Sequence, residues 1–290
     1  MAQPDKSDGT VGKALALLQD IAEGGRPVRF AELLARNPYP KATLHRLLQT
    51  LASQGMIAHD PVAHTYRPGL RLVRLAHAAW AQSSLAPLAR PHLDALAART
   101  GETVHLAQLD GGHVLYVDKR NAARPVEMFS QAGKIGPAYC TGVGKALLAW
   151  LDPPALEAAL ARQAFHRFTA ATVGDAAALR EELARIRAEG LAWDREEHEP
   201  GIVCVAAPIL SAAGRPLGAL SITGTTDRLG LDGLAALAPD LRAAARAVAA
   251  EAEAWRFPDA APSAVPSAAP SAATHPTPAA PEKETDPCPA

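Results

Sequence analysis

The residues with the clearest chemical potential surround a glycine-containing loop in the second half of the chain. Tyr139–Ala146 reads Tyr-Cys-Thr-Gly-Val-Gly-Lys-Ala and opens a predicted helix that runs through Trp150. Backbone N–H groups at the start of a helix attract an anion, and glycine lets a ligand approach the backbone. The loop is not a nucleotide-binding P-loop, because Tyr139 replaces its first glycine and Ala146 replaces its serine or threonine. The pattern therefore predicts an anion site.

Three more features of this half carry polar or reactive side chains. The segment 193–201 is dense in charge, and a solvated loop explains it as well as a functional loop does. Cys204 lies within an apolar strand, where a small core residue is the simpler interpretation. Ser221 and Thr223 alternate along one predicted strand, so both point to the same face. They either face a ligand or are satisfied inside the sheet.

The helix between Pro40 and Gly55 indicates a different chemistry, contact with DNA. One face is an apolar stripe of leucines at helical spacing, namely Leu44, Leu47, Leu48 and Leu51. The opposite face carries Arg46, Gln49 and Ser53, flanked by Lys41, His45 and Thr50, and no carboxylate. Hydrogen-bond donors without acids suit phosphates and base edges, although an ordinary solvated helix is the alternative. The candidate DNA-contacting residues are Lys41, Thr43, His45, Arg46, Gln49 and Arg67.

The elements around this helix favour the DNA-binding interpretation. A predicted helix over Val11–Ile21 and a short helix at Phe30–Leu34 precede it, and a turn ending at Pro40 separates the last two helices. The segments 56–59 and 65–67 follow as two strands of a wing. This is the order of a winged helix-turn-helix. The segment from 11 to 75 has nine Lys/Arg against four acids, a charge of +5, whereas the whole chain has −1. A basic module in a nearly neutral chain predicts docking on double-stranded DNA.

Composition limits the remaining possibilities. A chain of 290 residues with 48% hydrophobic residues accommodates about two domains with real cores. Its apolar runs fall short of the roughly 20 residues of a membrane span, and its first residues lack a signal-peptide core. Three cysteines without CxxC spacing argue against a zinc ribbon or a disulfide framework. We therefore expect a cytoplasmic protein without a membrane partner, a metal or another cofactor.

The second half predicts an α+β domain. A linker helix over Leu70–Leu88, stopped by Pro87, precedes a helix over Pro91–Arg99. Its apolar residues pack either on a second subunit or on the chain's own second half. Two hairpins follow, 103–118 around Asp-Gly-Gly and 203–223 around Ala-Gly, with helices at 179–189 and 231–254. The expected organisation is a flexible N-terminus (1–10), a winged helix-turn-helix (11–74), a linker helix (75–87), an α+β sensory domain (88–256) and a disordered Pro/Ala-rich tail (257–290).

Several long motifs, in the right order, resemble the IclR family of bacterial transcriptional regulators over 11–255. The first half matches in residues 12–18, 40–51 and 66–69, and the second half matches in 100–107, 141–149, 194–201 and 204–209. The resemblance implies a GAF-like effector fold with an antiparallel sheet, α/β in class. It also implies a dimer or dimer of dimers and a small organic effector, often a carboxylate. Two departures are Ala42, where serine is common in the recognition helix, and Arg29, where serine or threonine commonly caps the second helix.

The resemblance further implies the effector-binding residues. They are Gly142, Val143, Asp194, Ile202, Cys204, Ser221 and Thr223. The helix-start N–H groups suit a carboxylate, Asp194 and the two hydroxyls suit a hydroxyl or keto group, and Val143 and Ile202 supply an apolar wall.

The expected function is a sequence-specific regulator, not an enzyme, that binds a pseudo-palindromic operator. A small organic acid would control its operator affinity, as in regulators of catabolic operons. The alternative is a DNA-binding module fused to an enzyme. In that case Cys140, with a lowered thiol pKa, would act as the nucleophile and His105 or His198 as the base. A metal gathered by Cys140, Cys204, His198 and Asp194 is a variant of the same alternative.

Overall fold

The computed structural model describes residues 9–82, 85–124 and 126–254. The helices are α1 (Thr10–Glu23), α2 (Phe30–Arg36), α3 (Lys41–Ser53), α4 (Leu70–Gln82), α5 (Leu85–Thr100), α6 (Gly142–Leu148), α7 (Pro153–Leu160), α8 (Ala176–Glu189) and α9 (Gly230–Ala254). The strands are β1 (Val28–Arg29), β2 (Ile57–Asp60), β3 (Thr65–Pro68), β4 (Thr103–Asp110), β5 (His113–Arg120), β6 (Ile135–Gly136), β7 (Ala192–Arg195), β8 (Ile202–Leu210) and β9 (Pro216–Thr225). The predicted tail 257–290 and residues 1–8 of the predicted N-terminal segment lie outside the described residues. Within the described ranges, every helix is too short or too polar to cross a membrane.

The first half is a winged helix-turn-helix, as predicted. Helix α3 begins directly after Pro40 and ends two residues before Gly55, whose φ of 68° is the left-handed conformation that favours glycine after a helix. All four leucines of the predicted stripe are buried, and they pack with Leu17, Ile21 and Leu33 from the two preceding helices. Strands β2 and β3 pair antiparallel, and β1 adds to β3, so the wing sheet has the order β1-β3-β2.

The connection between the halves differs from the prediction. Helix α4 ends at Gln82, and α5 already begins at Leu85, so Pro87 lies in the first turn of a helix instead of stopping one. The first N–H groups of a helix have no acceptor within it, so proline costs little there. The prediction that Pro87 ends the linker helix is therefore wrong. Pro91, the predicted start of the next helix, lies inside α5.

The second half is an antiparallel sheet between two layers of helices. The strand order is β6-β5-β4-β9-β8-β7, and every neighbouring pair is antiparallel. Helices α5 and α9 cover one face, where Leu93 and Leu241 meet Leu106, Val205 and Ile222 of the sheet. Helices α6, α7 and α8 cover the other face, against small side chains such as those of Ala107, Ala206 and Ala219. Alternate residues of the central strands therefore face α6, which decides where the polar ones lie.

Candidate functional site

A single cavity lies between the start of α6 and the sheet. All seven residues predicted to bind an effector line it, namely Gly142, Val143, Asp194, Ile202, Cys204, Ser221 and Thr223. Seven more residues line it, namely His105, Tyr116, Met128, Ser130, Thr141, His198 and Glu199. The cavity volume is about 30 Å³, so in this conformation it has room for very few water molecules. An organic ligand fits only if a wall moves.

Strand register assembles the polar floor of the cavity. Asp194 of β7 pairs with Cys204 of β8, and Cys204 pairs with Thr223 of β9. In the next row on the same face, Ser221 of β9 pairs with His105 of β4. Because cross-strand partners point to the same side of a sheet, these five side chains converge although they are far apart in the sequence. The sheet thus brings the predicted hydroxyls, carboxylate and thiol together.

The start of α6 forms the opposite wall. A Cβ atom on Gly142 would lie 2.5 Å from the Cys204 sulfur, so only glycine lets the helix approach β8 this closely. The first backbone hydrogen bond of the helix runs from the Lys145 N–H to the Thr141 carbonyl, at 2.9 Å. The N–H groups of Gly142 and Val143 precede it and so have no acceptor within the helix. They are the donors that the sequence predicted for a carboxylate, and the Gly142 N–H is directed at the Cys204 sulfur.

Among the carboxylate side chains that line the cavity, Asp194 has the carboxyl pKa that is shifted furthest. It lies on the edge strand β7 and is only 6% exposed, so treating 193–201 as a solvated loop is wrong at this residue. Its carboxylate accepts a hydrogen bond from the Glu197 N–H at 2.8 Å. Burial, which penalises the charged form, raises the pKa of the Asp194 carboxyl to about 7. The side chain therefore exchanges a proton near neutral pH.

A buried ion cluster joins the two walls. The Lys145 ammonium of α6 is fully buried and lies 2.5 Å from a Glu197 oxygen and 2.7 Å from a Glu182 oxygen. Glu197 follows β7, and Glu182 belongs to α8. Burial raises the pKa of the Glu197 carboxyl, although Lys145 opposes that effect. The cluster fixes the segment after Asp194 against the helix that begins at Gly142.

Glu199 and His198 close another side of the cavity. The Glu199 carboxylate accepts the Phe129 N–H at 3.0 and 3.1 Å. Burial disfavours its charge, but hydrogen bonds from His198 and from the Phe129 backbone outweigh that effect and lower the pKa of the Glu199 carboxyl. The His198 ring lies between Phe129 and Phe168, at centroid distances of 4.9 and 4.6 Å. The 193–201 segment thus supplies a wall of the cavity.

The cysteines do not have the environment that the enzymatic alternative requires. Cys140 is fully buried, and burial raises the pKa of its thiol. The expectation of a lowered thiol pKa is therefore wrong, because desolvation outweighs the nearby Lys145 charge. Burial raises the pKa of the Cys204 thiol as well. Among the described residues, no three His, Cys, Asp or Glu side chains are grouped to hold a metal ion.

The seven additional lining residues were not predicted as effector-binding residues. A sequence signal existed for His105, because Thr103 and His105 alternate with the apolar Val104 and Leu106, which indicates a polar stripe on one face of β4. Met128 and Ser130 lie in an irregular segment, and only the tertiary structure brings them to the cavity.

The predicted DNA-contacting residues lie on the exposed surface of the winged helix. Lys41, His45, Arg46 and Gln49 are exposed on α3, Thr43 is partly buried there, and Arg67 is exposed on β3. The Thr50 hydroxyl donates to the Arg46 carbonyl, and the Ser53 hydroxyl donates to the Thr50 carbonyl. These two hydroxyls are therefore occupied within the helix, which leaves Arg46 and Gln49 as the principal donors of this face.

The two halves define the class of protein, a DNA-binding transcription regulator with an effector-binding domain. The chain belongs to the IclR family of bacterial transcriptional regulators. The IclR helix-turn-helix domain matches residues 10–61, and the C-terminal domain of bacterial IclR regulators matches residues 77–250.

Individual relatives agree with this assignment. The regulator XynR of Escherichia coli K12 is 34% identical over 220 residues, which cover 76% of this chain and 87% of that protein. The regulator BhcR of Paracoccus denitrificans is 36% identical over 234 residues, 81% of this chain and 84% of that protein. An IclR homolog from Microbacterium hydrocarbonoxydans, crystallised with 4-hydroxybenzoate, is 22% identical with a TM-score of 0.74. That likeness covers 85% of this chain and 100% of the other and concerns the fold.

Proposed function

We propose that this regulator changes its affinity for an operator when a small organic acid occupies the cavity between α6 and the sheet. The main support is the convergence of the seven predicted residues. The residues expected to bind an effector come from α6, β7, β8 and β9, yet all seven line one cavity. Polar side chains that converge in a concave site, with an apolar wall from Val143 and Ile202, suit a small polar molecule.

The acid would lie with its carboxylate at the start of α6 and its other polar groups toward Asp194, Ser221 and Thr223. At about 30 Å³ the cavity is too small for such a ligand as it stands. Binding therefore requires a rearranged wall, and the ligand has different affinities for the two conformations. That difference is the source of any effect on DNA binding. Coupling of about 1–3 kcal/mol is typical, which corresponds to a roughly 5- to 150-fold change in operator affinity.

At the DNA, a dimer or dimer of dimers would place two α3 helices on the half-sites of a pseudo-palindromic operator. The controlled genes would form a catabolic operon, and the protein would act in the cytoplasm, where the DNA is. We infer regulation without catalysis, because the buried Cys140 thiol stays protonated and is a poor nucleophile.

Calorimetry with aliphatic and aromatic acids, including 4-hydroxybenzoate, tests the effector site. The chosen variants are Ser221→Ala and Asp194→Ala, because both side chains are buried in the cavity. We expect weaker binding of the acid in both and unchanged DNA binding in its absence, since α3 belongs to the other half. Ser211→Ala, in the turn between β8 and β9, is the matched control. An acid that shifts operator affinity but binds both cavity variants as tightly as the wild type would place the effector elsewhere.

Gel-shift titration with the native promoter tests the DNA-facing helix. Arg46→Ala or Gln49→Ala should each weaken specific binding by about 1–3 kcal/mol, the usual value of a bidentate base contact. Arg180→Ala removes an arginine that pairs with Glu157 in the other half, and it should leave operator affinity unchanged. Unchanged affinity in both α3 variants would refute this orientation of the helix.

A further inference from the structure

His105 lies on the polar floor of the cavity, where its ring packs against Tyr116 at a centroid distance of 5.4 Å. The side chain is 2% exposed and lines the cavity. Its Nε2 atom lies 2.8 Å from the Ser130 hydroxyl. Its Nδ1 atom lies 3.3 Å from the Ser221 hydroxyl and 3.4 Å from the Thr223 hydroxyl. One ring therefore touches both hydroxyls that the proposed function assigns to the effector.

The ring is neutral in the folded protein. Burial, aided by the positive charge of Lys119 across the strand pair, lowers the pKa of His105 to about 3. A neutral imidazole has one N–H donor and one acceptor nitrogen. The Lys119 ammonium donates to the Ser130 carbonyl at 2.8 Å, which holds Ser130 beside Nε2. Nδ1 is left with the two hydroxyls.

A single ring nitrogen makes one good hydrogen bond, yet two hydroxyls share Nδ1 at long distances. When one hydroxyl takes Nδ1, the other keeps bonding capacity directed into the cavity, because His105, Ser221 and Thr223 all line it. A ligand group at this point meets both a donor and an acceptor. A ligand hydroxyl can pair with both, and a ligand carbonyl can accept from the donor, whereas a methylene pairs with neither and leaves buried polar groups unpaired, which is unfavourable.

We propose that His105 is a specificity-determining residue of the cavity, which orients the Ser221 and Thr223 hydroxyls so that an acid with a neighbouring hydroxyl or carbonyl group binds in preference to the unsubstituted acid. This inference rests on the proposed function, because it assumes that the effector occupies this cavity. His105 acts through the two hydroxyls and is thus a positioning residue. The chemical class of the effector is then a hydroxy or keto acid.

Three substitutions of His105 separate this role from a merely structural one. The amide of asparagine reaches the position of Nδ1, whereas the longer glutamine reaches the position of Nε2. His105→Asn should therefore keep the contact with Ser221 and Thr223, and His105→Gln should keep only the contact with Ser130. His105→Leu removes both. The melting temperature of each full-length variant verifies that it is folded.

Calorimetry with lactate, pyruvate and propionate measures the preference, because the first two differ from propionate by a hydroxyl or carbonyl group next to the carboxylate. In the wild type we expect a substituted acid to bind about tenfold more tightly than its unsubstituted partner, the effect of one hydrogen bond. His105→Asn should retain most of that ratio, and His105→Gln and His105→Leu should reduce it to within about twofold of unity. Equal affinity of the wild type for substituted and unsubstituted acids would overturn the inference. An affinity ratio that His105→Gln keeps and His105→Asn loses would also overturn it.

A ligand-free measurement separates failure of this inference from failure of the proposed function. In ¹⁵N NMR of the histidine-labelled full chain, Ser221→Ala or Thr223→Val should shift the Nδ1 resonance of His105, and Ser130→Ala should shift Nε2. The resonance is assigned by its loss in His105→Asn. If the Nδ1 resonance has the same chemical shift in Ser221→Ala and Thr223→Val as in the wild type, His105 does not orient the two hydroxyls. The inference is then wrong. If the Nδ1 resonance shifts but the wild type binds none of the acids, His105 does orient the hydroxyls. In that case the proposed small-acid effector is wrong.

Discussion

Replacing Asp194 with asparagine tests the electrostatic account of the cavity. Asparagine keeps the shape of the side chain and an oxygen that can accept the Glu197 N–H, but it cannot ionise. Asp194 is 6% exposed, and its carboxyl pKa is raised from about 3.8 to about 7, chiefly by burial. The substitution therefore removes the ionisable carboxyl group and keeps the shape of the side chain and its hydrogen bond.

The sign and magnitude follow from that pKa. Between about pH 4 and about pH 7 the folded protein holds a proton on Asp194 that the unfolded chain has lost, so the free energy of unfolding falls as pH rises. A tenfold change in an ionisation constant corresponds to about 1.4 kcal/mol, which makes the full effect about 4 kcal/mol. About half of it, roughly 2 kcal/mol, develops between about pH 5.5 and about pH 8.

Urea unfolding at the two pH values, at one fixed protein concentration, measures the effect. The free energy of unfolding of Asp194→Asn minus that of the wild type should grow by about 2 kcal/mol from the lower to the higher pH. Other titrating groups occur in both proteins and largely cancel. Asp110→Asn, at the exposed end of β4, is the control and should show no such growth. A difference that stays constant within about 0.5 kcal/mol would refute the claim that burial holds Asp194 protonated near neutral pH.

Three further predictions concern packing and the end of the chain. Gly142→Ala should reduce acid binding in calorimetry and lower the melting temperature, because its Cβ would lie 2.5 Å from the Cys204 sulfur, whereas Gly174→Ala, with open space around its Cβ, should change neither. Lys145→Met should destabilise the fold by about 3–5 kcal/mol in urea unfolding, because it leaves Glu197 buried without its partner; a loss below about 1 kcal/mol would contradict this. Deleting 259–290, where proline and alanine predominate, should leave the melting temperature and operator affinity nearly unchanged, and a large fall in either would show that this segment contributes to folding or binding.

The sequence by itself determined those parts of the protein that depend on local periodicity and on backbone preference. The leucines of α3 recur every three to four residues, so they fix one buried face and, by exclusion, the exposed face of Arg46 and Gln49. Pro40 and Gly55 bound that helix because a helix accepts proline at its start and glycine tolerates a positive φ after its end. Both hairpins of the second half follow from apolar strand segments that flank glycine turns.

Local rules were insufficient where a residue is compatible with two structures. Proline stops a helix or opens one, and Pro87 opens α5 because the chain around it packs against the sheet and α9. Charged segments are usually solvated, yet Asp194 is buried because β7 joins the edge of the sheet beside β8. In both cases a long-range contact selected between alternatives that the local sequence left open.

The cavity belongs almost entirely to the tertiary structure. Family motifs indicated seven of its residues, but their convergence depends on the register of β4, β7, β8 and β9, which joins residues more than a hundred positions apart. Ser130 lies in an irregular segment without a periodic signal and reaches the floor through its contact with His105. The pKa values of Asp194 and His105 depend on how completely the assembled fold excludes water, because desolvation is the largest cause of both shifts. A sequence specifies which groups can ionise, whereas only the packed structure sets the surroundings that decide whether they do.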